Sequence, residues 1–420
     1  MIERKGANQF KKLLPLIVVT ITTLVGPMIY LGFASLYHYV IISLFVLGLI
    51  KKRYINIRNT TAIMKFFLLW TLWATCSVVW APSKELAMQY VYYIFLMTAM
   101  CFLFHQYINK ESIECFVVVM VVILFLCNVI AIWETTTGNH LVRDYLSSLI
   151  RLRLLRYVPG TFFRNPNDFA TFVIQAIPFS LYLAMSHKKI IRIVAIFNVV
   201  ASFFSVVAAQ SRTQIILLIL IYVCSATFMN KKKLLGISIL LLLGVVVIFN
   251  IYPSFGELVE EGLMSVSAGE IASSTEDGGS LGTRIALLKN GGHILLDTLG
   301  FGAGAGCHRV IMGEYSMHYN NTGNIRVMHN LIGEIFVDYG VFIGIGFIVT
   351  LVISIKKMFI IGKYVQDKQI RQISFFLALS LSVFVICGIS SSSILQLTSL
   401  WMTICFVSAF IKVYTTDERM

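Results

Sequence analysis

Apolar stretches recur along this chain at close to one length, and short clusters of lysine and arginine divide them. From Leu13 to Ile50 there is no Asp, Glu, Lys or Arg, while Lys11 and Lys12 precede the run and Lys51, Lys52 and Arg53 follow it. One helix of about 20 residues crosses the roughly 30 Å hydrocarbon core of a bilayer, so this run predicts two crossings, turning near Gly26 and Pro27. Further runs are read at Ala62 to Trp80, Leu86 to Tyr107, Ile113 to Trp133, Phe169 to Ser186, Ile190 to Ala209, Ile215 to Met229 and Leu234 to Tyr252. Leu331 to Ile355, Ile373 to Ile389 and Ile394 to Ile411 bring the expectation to about twelve. Hydrocarbon offers no water to an unpaired peptide group, so each run is expected to be helical. The predicted fold is an all-α polytopic membrane protein, with residues 1–420 forming a single integral membrane domain. A cleaved signal peptide does not fit the N-terminus, because the run is too long and a second span follows at once.

Composition narrows the class. With 58% hydrophobic and 13% charged residues and a mean hydropathy of +0.82, the chain has more apolar surface than a water-soluble fold could bury. The formal net charge of +14 would suggest nucleic acid in a soluble protein. Here most of it falls in short turns. Alternating the runs puts the N-terminus, Lys51–Arg53, Lys110, Lys188–Arg192, Lys231–Lys233, Lys356–Arg371 and the C-terminus on one side, which the positive-inside rule makes cytoplasmic. Anionic lipid headgroups then account for most of the excess, and no nucleic acid is expected. Seven of the eight cysteines lie in apolar runs and only Cys307 falls in a loop, so neither a disulfide framework nor a CxxC metal site is expected.

Two connections are too long for plain turns, residues 134–167 and residues 253–330, and both are expected on the outer face. The first holds Arg143, Arg151, Arg153, Arg156 and Arg164, against the positive-inside trend. Leu149, Ile150, Leu152, Leu154 and Leu155 alternate with these arginines. The segment could therefore lie in the interface against headgroups, or meet an anionic partner there, and the loop alone weighs the two equally. Arg212 stands in the tight turn QSRTQ, where a snorkelling arginine is the ordinary explanation. The second loop supplies Arg284, a predicted helix around it, and glycines 300, 302, 304 and 306. No strand precedes these glycines and no Lys-Ser/Thr follows, so they predict a permissive backbone turn and not a nucleotide cradle. Glu257, Glu260, Glu261, Glu270, Glu276 and Asp277 suggest a solvated rim. In RVMHNLIGEIFVDYG, Arg326 and His329 close the loop at the start of an apolar helix. A histidine there is commonly an interfacial hydrogen-bonder, but this face also carries arginines and offers no better base.

GTFFRNPNDFATF (Gly160 to Phe172), the SR turn (Ser211, Arg212), TRIALLKNG followed by GFGAGAG, and an HN that opens a helix ending in DYG occur in that order. Together they resemble the O-antigen ligase and Wzy-type polysaccharide polymerase superfamily. WETTTGNHL before GTFFRNPNDFAT is similar to the teichuronic acid and capsule polymerase branch. The resemblance is clearest from Trp133 to Gly340, and elsewhere covers span count and topology. It implies a GT-C class B-like enzyme with about twelve transmembrane helices and two large extracytoplasmic loops. Such an enzyme would be an inverting glycosyltransferase acting on undecaprenyl-diphosphate-linked oligosaccharide, as donor and acceptor, outside the bacterial cytoplasmic membrane. By the same resemblance His329 matches the catalytic histidine, and Arg212 and Arg284 match diphosphate-binding arginines. Arg151, Arg153 and Arg156 correspond loosely to first-loop basic residues, and Arg143, Arg164 and Arg326 are further candidates. Membrane lipids, a flippase and a chain-length regulator are the implied partners, with no cofactor.

General chemistry is consistent with this. A leaving diphosphate needs fixed positive charge, from guanidinium forks or from a cation held by paired carboxylates, and no D-x-D occurs in the sequence. A metal-independent site is therefore expected. A histidine near arginines should have a lowered pKa and stay neutral at pH 7, ready to take a hydroxyl proton. Two other readings stay open: a ligase that moves a finished glycan to a different acceptor, and a lipid-oligosaccharide flippase or transporter.

Overall fold

The computed structural model describes residues 2–25, 29–31, 34–51, 60–141, 157–163, 165–226, 280–322, 325–388 and 394–416. The chain forms two compact units. One comprises Met1–Tyr37, Asn109–Ser267 and Met358–Cys387, and the other His38–Ile108, Ala268–Lys357 and Gly388–Met420.

The elements are α1 (Ile2–Val25), a two-residue hairpin of β1 (Tyr30–Leu31) and β2 (Ala34–Ser35), α2 (Leu36–Ile50), α3 (Ala62–Ser77), α4 (Lys84–Tyr107) and α5 (Ile113–Thr137). They continue with α6 (Pro166–Leu183), α7 (Lys189–Ala208), α8 (Arg212–Ala226), α9 (Ser280–Asp297) and α10 (His308–His318). α11 (Leu331–Tyr364), α12 (Lys368–Cys387), a short 3-10 turn and α13 (Thr398–Thr416) complete them. The protein is an all-α, multi-pass membrane protein. Among the described residues six helices, α4, α5, α7, α11, α12 and α13, are long and apolar enough to cross a bilayer, and Leu13–Val25, Leu36–Ile50, Ala62–Ser77 and Thr213–Ala226 are shorter apolar helices. The expected span at Leu234 to Tyr252 and the acidic rim at 257–277 lie outside the described residues. The long connection is not one open loop: α9 confirms its predicted helix, and α10 adds another.

In the first unit, α6 is buried along nearly its whole length, among α5, α7, α8 and α12. Asn165 caps it by accepting from the Asn167 amide, and Pro166 occupies its first turn, where no amide donor is needed. Buried amides and hydroxyls join its neighbours, because polar side chains among apolar helices are satisfied only by one another. Asn128 of α5 donates to Ser202 at 3.1 Å and accepts from Ser205 at 2.9 Å. Asn198 of α7 donates to the Val121 carbonyl at 2.8 Å and to Ser180 at 3.1 Å. Fully buried Glu134 organises the start of the first long connection, accepting from the amides of Leu141, Gly160 and Thr161 at 3.0, 2.8 and 2.8 Å.

The second unit is centred on aromatic residues, with Trp70 packed edge-on against Tyr339 and Trp401. Its main irregularity is a break in α11, where Gly340 has φ 86° and ψ 174°. In an unbroken helix the Val341 amide would bond the Val337 carbonyl. Here it bonds the Gly300 carbonyl at 2.9 Å, while the Val337 and Asp338 carbonyls accept from the amides of Ala303 at 2.8 Å and Gly304 at 3.0 Å. Trp73 Nε1 donates to the Tyr339 carbonyl at 2.7 Å. The glycine turn thus inserts into the helix and takes over the hydrogen bonds the kink releases, leaving these buried carbonyls satisfied. All four glycines of that turn have positive φ, as the permissive-turn reading requires.

Candidate functional site

His329 lies in the second unit, two residues before α11, in the left-handed region at φ 48°. That conformation costs energy for a residue other than glycine, so its surroundings must hold it there. Asn330 begins the helix, its side chain accepting from the Gly333 amide at 3.0 Å and its carbonyl from the Glu334 amide at 2.8 Å. On the other side Met328 is buried. The HN dipeptide therefore divides its work: asparagine caps the helix, and the chain turns at histidine.

Small residues bring α9 to this point. A Cβ on Gly291 would come within 2.9 Å of Met328 Cε and Val337 Cγ2, and one on Gly333 within 3.0 Å of Met328 Cε and 3.1 Å of Leu288 Cδ2. Arg284, half-buried on the same helix, is then close enough for its charge to reach His329. Burial first, then the positive charges of Arg284 and Arg309, hold the half-buried imidazole below its ordinary pKa of 6.5. Arg284 is thus one of two arginines whose charge reaches His329.

Arg309 was not among the sequence candidates, nor were the residues that anchor it. It stands in the first turn of α10, its guanidinium 3.3 Å from Glu334 Oε1 and 5.5 Å from the Tyr90 ring centroid. Beside it His308 is fully buried. Its amide donates to Asp338 Oδ1 and its Nδ1 pairs with Asp338 Oδ2, both at 2.8 Å. His308 Nε2 has no hydrogen-bond partner among the described residues and lies 4.0 Å from Glu334 Oε1. The apolar run that begins at Leu331 is consequently not charge-free: Glu334 and Asp338, one helical turn apart, are 1% and 0% exposed. Intramembrane acids at i and i+4 were the signal available in the sequence. A search for D-x-D could not find them, because positions two apart share a face only in extended backbone, whereas these carboxylates share one helix face at a spacing of four.

His308, Glu334 and Asp338 could in principle hold a metal, since one ligand atom from each lies within 4.8 Å of the others. The carboxylates already have protein partners. Both Asp338 oxygens serve His308, and Glu334 Oε1 faces Arg309. The carboxylate oxygens are thus largely taken up by protein partners, and His308 Nε2 is the ligand atom left without a hydrogen bond among the described residues.

The remaining sequence candidates are placed unevenly. Arg143, Arg151, Arg153, Arg156 and Arg164 lie outside the described residues. Arg212 opens α8 in the first unit, and its side chain is likewise outside them. Its neighbour Ser211 donates to Asn167 Oδ1 at 2.7 Å and also bonds Gln214, whose Nε2 donates to Thr171 at 3.0 Å. The QSRTQ turn and the NPNDFAT helix start, distant in sequence, thus meet through these side chains. Arg326 is exposed and lies over Gly313, where a Cβ would sit 3.4 Å from its Nε. Cys307, expected in an open loop, is buried, with its Sγ 3.5 Å from the Ser83 carbonyl.

Apolar helices with a histidine and arginines gathered before a kinked span are the features of a multi-pass membrane protein similar to the O-antigen ligase and Wzy-type family. The likeness read from the sequence is shown by the match of residues 197–348 to the family model described as O-Antigen ligase. Arg212, Arg284, His308, Arg309, His329, Glu334 and Asp338 all fall within that segment. The chain is also 24% identical over 411 residues, 93% of its own length and 82% of the relative's, to the teichuronic acid biosynthesis protein TuaE of Bacillus subtilis (strain 168).

Proposed function

We propose that this chain is a membrane glycosyltransferase that joins undecaprenyl-diphosphate-linked repeat units into a surface polysaccharide. The reaction takes place at the outer face of the bacterial cytoplasmic membrane, with both termini in the cytoplasm. One observation carries the reading: a strained, half-buried histidine, depressed in pKa by burial and by Arg284 and Arg309, stands at the start of a kinked apolar helix. Neutral at pH 7, His329 accepts the proton of the acceptor hydroxyl as its oxygen attacks the anomeric carbon. The bond from that carbon to the diphosphate breaks, and the lipid diphosphate leaves with the electron pair. Attack from the face opposite the leaving group inverts the configuration.

Arg284 stabilises the departing charge, and the family likeness adds Arg212 to the same task. Arg309, locked by Glu334, contributes a further fixed positive field. A guanidinium held in place before the reaction costs no reorganisation when charge develops, so no divalent cation takes part. Arg151, Arg153 and Arg156 are proposed to attract the anionic lipid headgroup, with Arg143 and Arg164 as further contributors. A repeat-unit flippase and a chain-length regulator are the expected partners. The description of the matched family favours a second reading, transfer of a finished glycan to a different acceptor. A gel ladder separates the two, since polymerisation gives steps of one repeat unit and ligation gives a single shift.

The reading is tested with His329→Ala. Polymer should fall by roughly a hundred- to ten-thousandfold, the usual contribution of a general base, with normal amounts of the variant in the membrane. Polymer at the wild-type level would overturn it.

A further inference from the structure

Beyond His329, α10 together with Asn321 and Arg326 borders an open cavity of about 500 Å³ lined by Val310, Gly313, Glu314, Ser316, Met317, Asn321 and Arg326. Volumes of this order hold small ligands. The lining offers one carboxylate, one guanidinium, one amide and one hydroxyl. A diphosphate would meet the Glu314 carboxylate, and a polyprenyl tail would have to cover four polar or charged side chains beside Val310 and Met317. Opposite charges together with neutral donors and acceptors match a neutral, hydroxyl-rich ligand.

Its walls are fixed by hydrogen bonds. Buried Thr322 donates its amide to Ser316 Oγ at 2.8 Å and its hydroxyl to the Ile325 carbonyl at 2.9 Å. Fully buried Asn290 of α9 donates to the Asn320 carbonyl at 2.8 Å and accepts from the Asn320 side chain at 2.9 Å. Tyr319 stacks on His293 at 4.1 Å and on Tyr315 at 5.5 Å between ring centroids, which pins the end of α10 to α9. A pocket ordered in advance loses little entropy when a ligand enters. Arg326 precedes His329 by three residues, a chain length that spans at most about 10 Å.

We propose that this pocket is the acceptor subsite, holding a neutral sugar of the growing glycan next to the one that presents its hydroxyl to His329. The inference rests on the glycosyl-transfer reading above and separates Arg326 from the diphosphate-binding arginines. Gly313→Leu would place a side chain against Arg326 inside the cavity, and Glu314→Gln would remove a charged acceptor from an exposed position without altering shape.

The probe is the repeat-unit oligosaccharide released from its lipid carrier by mild acid, added to the full chain in lipid nanodiscs. Saturation-transfer NMR should show sugar signals with the wild type and lose most of them with Gly313→Leu and Glu314→Gln. In the polymerisation assay each substitution should raise the acceptor KM roughly ten- to a hundredfold, the scale of a lost hydrogen bond to a charged group. The donor KM and kcat should change far less, a split that general loss of structure would not produce. Binding to the wild type that the variants lose, in a protein that elongates nothing, would retain the pocket as a glycan site and sink the polymerase reading. An active wild type whose variants keep the same acceptor KM and the same NMR signals would overturn the pocket alone.

Discussion

Gly302 and Gly300 belong to one turn and both have positive φ, yet alanine should affect them very differently. At Gly300, with φ 78°, the nearest atom to a new Cβ is Val341 Cγ2 at 3.4 Å, the end of a side chain that can shift. The cost there is mainly conformational, about 1–2 kcal/mol for a non-glycine residue in the left-handed region. At Gly302, with φ 86°, the Cβ would lie 2.5 Å from the Gly340 amide nitrogen and 2.7 Å from the Asp338 carbonyl oxygen. Those are backbone atoms held by the hydrogen bonds that bridge the kink, so the turn itself must lift away. Overpacking of this kind costs roughly 1–3 kcal/mol more. Gly302→Ala should therefore be destabilised by about 2–5 kcal/mol, against about 1–2 kcal/mol for Gly300→Ala. It should also disturb the turns of α11 that carry Glu334 and Asp338. Thermal unfolding of detergent-purified variants, followed by size-exclusion chromatography, gives the order of stability, and polymer synthesis in membranes gives the functional loss. Equal midpoints for the two variants, or wild-type stability for Gly302→Ala, would refute the argument that this turn is a backbone splice into the helix.

Arg284→Lys keeps the charge but loses the planar fork, and should lower turnover by roughly ten- to a thousandfold, about 1.4–4 kcal/mol of transition-state stabilisation, measured by chain growth on a gel. In the proposed mechanism His329 acts as a neutral base; with its pKa held below 6.5, activity should be full at pH 7 and fall as the pH drops through that lowered value. Arg309→Gln removes one of the charges that depress it and should move this acid limb to higher pH, whereas Arg309→Lys should leave the limb in place. Excess EDTA should leave transfer by purified protein undiminished. Loss of activity that magnesium or manganese restores would instead show that the carboxylates of α11 bind a cation.

The helices were legible because hydrocarbon leaves a chain few choices. A run of about 20 apolar residues can satisfy its peptide groups only within itself, so span length and bracketing charges reveal the elements. Glycine at four alternate positions announced a turn that other residues avoid, and HN before an apolar run announced a helix start. Arg284 and His329 were found as separate residue types on loops, and only the packing of α9 through Gly291 and Gly333 shows that the charge of one reaches the other.

What the linear chain by itself determined is the local part: which segments are helical, where glycine must relax the backbone, and which residue types can bind anions or accept a proton. Tertiary structure decided the rest. His308 meets Asp338 across 30 positions and Arg309 meets Glu334 across 25, and no pattern in either segment specifies its partner. The kink in α11 likewise exists only where the turn at Gly300 to Gly304 replaces the hydrogen bonds it breaks. Periodicity reports how a segment faces its surroundings. The pairing of buried charges and displaced peptide groups depends instead on which segments come to lie together, because each is stable out of water only when the other is present.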